Sequence, residues 1–378
     1  MPAPEKRTSD ENSPYRSYYA ANLNALLNHP VAGSHASGAL PCPAVGIYCG
    51  AGASHSWLWF VDILEAMGFW NITFITDEDI KGYGLSRCDA VLVSGGDTFA
   101  IAEALGEAGA RALTSFVSGG GIYVGSCAGA YLPLNSSLPP LNLFNFVPAR
   151  ISNLTRNLPT PDVLPEKFCT PYGCRYVFHP VREEVTISIR NFPCRLERRA
   201  EVTAPLYGGA AFLPSEEVQT LAWYSGFTPQ TLYLTDAQLA HDTLMGKGAL
   251  IAQSVGRGTM YLAGPHLEHP RYPEANTLIA ELLYLSGSRC EKAAPRRAEG
   301  ESCSPDTRNR LLRNIRSELS NSRIVALALE RTSLHWRIGR KAPRARALPS
   351  RTGSSCRGLC RTIFTVCTSS GWRRSFSR

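Results

Sequence analysis

Short apolar runs separated by glycine-rich turns dominate the first third of the chain. "AVGIYC" (44–49), "NITFIT" (71–76), "DAVLVS" (89–94) and "GIYVGS" (121–126) each have buried-strand character and are bounded by turn residues. Helix-length segments lie between them. Ser54 is placed to cap a helix running to about Met67, which Gly68 stops, and two alanine-rich pieces fill about 98–118 before three glycines. Alternation of strand and helix predicts parallel βαβ units covered by helices on both faces. The expected fold class is therefore α/β, a mostly parallel sheet flanked by helices. Ligands of such sheets bind beyond the carboxyl ends of the strands. Three loops, "GAGAS", "GGDT" and "SCAGAY", are expected side by side there.

The pattern changes from 141 to about 247. Prolines are frequent, and "EVTISIR" and "TLAWYS" read as half-exposed strands. This stretch is expected to be an irregular, β-containing insertion wrapped over the sheet. "GALIAQSV" and "GTMYLAG", joined through "GRG", read as a late strand pair, and "PEANTLIAELLYL" as a closing helix. The organisation is then a polar N-terminal arm (1–42), an α/β domain (43–290) and a C-terminal tail (291–378). The arm is expected to be disordered, and so is most of the tail, apart from one candidate helix at 306–331.

Charge sharpens that division. The net charge is +8, yet residues 291–378 hold 20 Lys and Arg against 6 Asp and Glu, leaving 19 against 25 elsewhere. The positive excess belongs wholly to the tail. Phosphate contact is one reading of such a tail, but no aromatic interleaving supports specific nucleic-acid recognition, and a solvated tail is favoured. No apolar run reaches the ~18 residues of a membrane span. The opening "MPAPEKRTSDENSPYRS" predicts no secretory leader, so the twelve cysteines are expected reduced in a cytoplasmic protein.

Gly125-Ser126-Cys127-Ala128-Gly129 has the spacing of a nucleophile elbow, G-x-nucleophile-x-G. Small flanks let backbones approach at the sharp strand-to-helix turn. The following helix aims its positive end at the sulfur. A small buried cysteine is the alternative. Downstream, "GPHLEHP" places His266 and Glu268 two residues apart at a predicted strand end, on one side of the chain. Glu268 would hold one ring nitrogen of His266 while the other faces a thiol, which is the nucleophile–base–orienter arrangement. Ala128 N–H and a glycine of "SGGD", best Gly96, are candidate oxyanion donors. The loop containing Gly52 is expected to line the pocket, and Tyr207 and Gly208 to select substrate from the insertion.

"IYCGAGAS", "VSGGD", "GSCAGAYL" and "GPHLEHP" together resemble the class I glutamine amidotransferase superfamily. Within it they resemble the branch named for the N-terminal domain of eukaryotic-type biotin–protein ligase, over about residues 44–287. The resemblance implies a flavodoxin-like sheet, with Cys127, His266 and Glu268 in the triad positions and Gly96 and Ala128 as oxyanion donors. It also implies an amidase or amidotransferase acting on a small-molecule amide, without cofactor, and a biotin ligase or synthetase as candidate partner. Two departures stand out. Tyr131 occupies the position where glutaminases of the superfamily usually carry Gln, and no adenylate loop of a biotin ligase is present.

The remaining signals are weaker. Gly50-Ala51-Gly52 lacks the third glycine of a dinucleotide fingerprint, since His55 stands there. His55 itself reads as a helix cap or a substrate donor. Cys169, Cys174 and His179 are spaced too loosely for a zinc site, so no metal is expected. The rival to an enzyme is a non-catalytic ligand-binding or regulatory module. A thiol peptidase would use the same residues.

Overall fold

A computed structural model describes residues 43–67, 69, 71–158, 176–192 and 200–287. The expectations for the N-terminal arm and the basic tail lie outside these residues, as do Cys169 and Cys174.

The elements run β1 (Val45–Tyr48), α1 (Trp57–Ala66), β2 (Ile72–Ile75), α2 (Asp77–Lys81), β3 (Ala90–Val93), α3 (Thr98–Ser118), β4 (Ile122–Ser126) and α4 (Ala128–Tyr131). After them come β5 (Ala149–Ile151), β6 (Val181–Arg182), β7 (Glu184–Ile189), β8 (Glu201–Pro205), β9 (Phe212–Pro214), β10 (Gln219–Phe227) and β11 (Leu232–Tyr233). The chain continues through α5 (Ala237–Leu244), β12 (Gly248–Val255), β13 (Gly258–Ala263) and α6 (Pro273–Gly287). Strands β2-β1-β3-β4-β13 are hydrogen-bonded in that order and all parallel, a flavodoxin-like sheet. Beyond β13 the same sheet continues antiparallel through β12, β10, β7 and β8.

Strand alternation assigns the two faces of the sheet. Val45, Ile47, Leu92 and Val124 pack with Phe60 and Leu64 of α1 and Leu278 and Leu282 of α6. Their neighbours Tyr48, Val91, Val93 and Tyr123 pack on the other face with Ile101, Leu105 and Phe116 of α3. Such two-sided burial is what near-continuous apolar strands require. The long helix α3 breaks at Gly106, whose φ of 55° interrupts it, which accounts for the two alanine-rich pieces.

Two expectations need correction. The described strands β7, β8 and β10 of the insertion do not wrap over the sheet but extend it edge to edge. The strand β12 is buried through Ala249, Leu250 and Ile251, so its outer N–H and C=O groups need a partner, and β10 supplies it. The first helix is not capped by Ser54. It begins at Trp57, with Ser56 at the cap position making no side-chain cap bond, and the Ser54 and Ser56 hydroxyls bond each other at 2.8 Å. The short α2, closed by a Thr76–Asp79 capping box, is additional to the expected elements.

The three loops do meet at the carboxyl edge. Asp97 N–H donates to Gly52 O (2.8 Å), Ser54 N–H to Gly95 O (2.8 Å) and Gly129 N–H to Ser94 O (3.1 Å). None of the described helices is long and apolar enough to cross a membrane.

Candidate active site

Cys127 joins β4 to α4 at φ 51° and ψ −107°, a strained conformation for a residue with a Cβ. It is held from both sides. Its N–H donates to Ala263 O (3.0 Å), and its carbonyl accepts from Ala130 and Tyr131 at 3.0 and 3.1 Å. The flanking glycines answer to space: a Cβ on Gly125 would lie 2.3 Å from Gly129 O, and one on Gly129 would lie 2.1 Å from Val93 O. The elbow spacing therefore reflects backbone contact on both sides of the cysteine.

His266 and Glu268 lie in the turn that follows β13. The sequence pattern puts them on a strand end; Pro265 cannot donate to a ladder, and His269 N–H instead closes the turn on His266 O (3.1 Å). The turn still brings the two side chains together. His266 Nδ1 donates to Glu268 Oε1 at 2.7 Å, and Ser126 Oγ donates to Glu268 Oε2 at 2.8 Å. Glu268 is fully buried and His266 nearly so. The His266 N–H is anchored on Pro205 O (2.8 Å) at the end of β8, and Asn276 Nδ2 of α6 holds Leu267 O (2.6 Å) and His269 O (3.0 Å). Burial alone would lower the imidazole pKa. The Glu268 charge and the hydrogen bonds to Cys127 and Glu268 outweigh it and raise the group to about 10.

Gly96 has φ 151°, and a Cβ there would fall 2.0 Å from Gly52 O. Because Gly95 O faces Ser54 N–H and the peptide is trans, Gly96 N–H points away from the "GAGAS" loop. Ala128 N–H opens α4 as one of the donors a helix start leaves unpaired. Gly95 lies nearer the side chains than Gly96: a Cβ on it would meet His266 Cε1 at 2.8 Å and Cys127 Cβ at 3.6 Å. Gly52 braces the Gly96 loop from behind, its carbonyl engaged by Asp97.

A loop of the insertion reaches the thiol. Cys127 Sγ donates toward Tyr207 O (3.8 Å), and the Tyr207 ring stands 5.6 Å from that of His266. The Tyr207 hydroxyl donates to Glu183 Oε2 (3.0 Å); burial, then this bond and the Glu183 charge, push its pKa up to about 12. Tyr131 Oη donates to Gly208 O (3.1 Å) and accepts from Asn153 Nδ2 (3.0 Å), itself fully buried. Ser126, Trp59 and His269 were missed at the sequence level. Trp59 packs edge-on to His266 (5.3 Å) and 4.5 Å from His269, with His55 edge-on behind it (5.3 Å). Burial and the nearby Arg271 charge lower the His269 pKa to about 4, so it is neutral at pH 7. The second His of "GPHLEHP" and the Trp pair of "SWLWF" were the only signals available. His179, buried beside Arg182, is likewise lowered to about 4. No cluster of metal-ligating side chains occurs among the described residues.

Residues 45–136 match the family described as "Biotin-protein ligase, N terminal". That stretch is 92 of 378 residues and contains Cys127 but neither His266 nor Glu268. Among solved structures, a putative GMP synthase subunit from Thermoplasma acidophilum is similar at 11% identity, over 65% of this chain and 95% of its own, with a TM-score of 0.41. A protein crystallised as a glutamine amidotransferase is similar at 15% identity, over 65% and 99%, with a TM-score of 0.42. A β-galactosidase from Bacillus circulans sp. alkalophilus is similar at 16% identity, over 65% and 31%, with a TM-score of 0.37. No curated protein matches the chain.

Gly129→Ala is expected to cost about 3 kcal/mol in urea unfolding, because the new methyl meets backbone rather than a yielding side chain. A loss below about 1 kcal/mol would show that the elbow yields. A second expectation concerns pH. Folding raises the His266 pKa, so its stabilisation is complete below the ordinary value of 6.5 and is lost as pH rises through about 10. Stability of the wild type should therefore fall across that window relative to His266→Gln, measured by denaturant midpoints at each pH.

Proposed function

We propose that the chain is a thiol-dependent amide hydrolase or amidotransferase, with Cys127, His266 and Glu268 as a catalytic triad. The observation that carries this reading is the buried Ser126–Glu268–His266 hydrogen-bond chain beside the cysteine of a strained elbow, with Gly95 packed against both His266 and Cys127. The Cys127 sulfur attacks the amide carbonyl as a thiolate, and the Gly96 and Ala128 N–H groups receive the oxyanion. His266, having taken the thiol proton, gives it to the leaving nitrogen as the C–N bond breaks. Water or an amine then attacks the thioester, passes its proton to His266 and releases the thiolate. Glu268 keeps the ring oriented and compensates its charge. Every step is proton transfer and acyl transfer, so residues 43–290 supply the machinery without a cofactor. A thiol used this way suits a reducing compartment such as the cytoplasm.

Tyr131 in place of Gln directs the reading towards an amide other than glutamine, with Tyr207 and Gly208 as its proposed contacts beside the thiol. A biotin ligase or synthetase receiving the released amine or acyl group is the candidate partner. One observation favours a binding module instead: the Tyr207 carbonyl faces the thiol, and Cys127 is only 9% exposed.

Limiting iodoacetamide separates the two readings. In the enzyme, Cys127 should label fastest of the twelve cysteines, and His266→Ala should slow it at least tenfold at pH 7; Ser126→Ala should slow it less. Labelling mapped by peptide mass would sink the enzymatic reading if Cys127 stayed inert while other cysteines reacted. Ammonia release from a panel of primary amides, lost in Cys127→Ser, then identifies the substrate class.

A further inference from the structure

A cavity of about 380 Å³ has Tyr131 among its lining residues. It lies between the start of α3 (Thr98, Phe99), the segment after α4, strand β5 and the turn at 154–157. Its apolar lining comes from Leu134, Leu138, Leu141, Ile151, Leu154 and Val177. Arg150 and Arg156 stand exposed among the lining residues, and none of the seventeen is Asp or Glu. The volume is that of a small-molecule site rather than a macromolecular interface. An apolar chamber whose described walls carry two cations and no acid favours a molecule with an aliphatic or aryl body and one anionic group. Arginine pairs with a carboxylate through two N–H donors, which would fix the orientation of the bound molecule.

Cys127, His266 and Glu268 do not line this space. The connection runs through Tyr131, which lines the cavity while its hydroxyl bonds Gly208 O, next to the Tyr207 carbonyl that faces the thiol. The geometry points to a second ligand site for a small apolar carboxylate, recognised by Arg150 and Arg156 and lined in part by Tyr131. This inference goes beyond the proposed reaction and does not depend on it.

Displacement of the fluorescent probe 1-anilinonaphthalene-8-sulfonate from the full chain tests it, with octanoate and 1-octanol as competitors of equal chain length. Octanoate should displace the probe at roughly tenfold lower concentration than octanol. In the Arg150→Ala/Arg156→Ala variant that preference should vanish while octanol displaces as before. Both arginines are exposed, and an unchanged thermal midpoint verifies the fold of the variant. Leu138→Trp should weaken both competitors by filling the chamber. Cys127→Ser should bind octanoate as the wild type does, so loss of the thiol chemistry leaves this result standing. Equal displacement by acid and alcohol, a preference that survives the double substitution, or octanoate affinity lost in Cys127→Ser would each overturn the proposal.

Discussion

A carboxylate sealed from water must be compensated within the protein, and Glu268 is compensated on both oxygens, by His266 Nδ1 and by Ser126 Oγ. The two donors come from different places in the sheet. Ser126 ends β4, and His266 follows β13, its parallel neighbour, so Ala263 and Ser126 stand in register. The carboxylate therefore staples the last residue of one strand to the turn after the next. Removing either donor would leave a buried charge half paired, which is costly in a low-dielectric site. The orientation of the His266 ring depends on that staple, while its backbone N–H is seated on the Pro205 carbonyl.

Much of the parallel half was legible because its signals are local. Four apolar runs, each ending in a glycine-rich loop, imply βα units, and the loops had to converge at one edge. The elbow was legible for a harder reason: Gly125 and Gly129 leave room for Gly129 O and Val93 O, contacts that no side chain permits. His266 and Glu268 were legible as a pair, although a turn and not a strand brings them together.

What escaped the sequence is set by long-range packing. Whether "EVTISIR" covers a sheet or extends it depends on the open edge of β12, some sixty residues later in the chain. Ser126 looked like a small spacer in the elbow; its role exists only once a carboxylate 142 residues away is seated beside it. Trp59 and His269 carry ordinary composition signals and acquire meaning only through their ring contacts around His266. The family match shares this limit. It stops at residue 136, before the imidazole and its carboxylate, so it accounts for the cradle of Cys127 and not for its partners.

Tyr131 shows how one residue can couple two environments. It lies four residues beyond Cys127 on α4, a rise of about 6 Å. Its hydroxyl belongs to a polar network with Gly208 and the buried Asn153, on the insertion side. The residue also lines a largely apolar cavity walled by the segments after α4. A glutamine at this position could enter the polar network but would present no aromatic wall. The same side chain therefore belongs to the polar network beside the Tyr207 carbonyl and to the lining of the cavity.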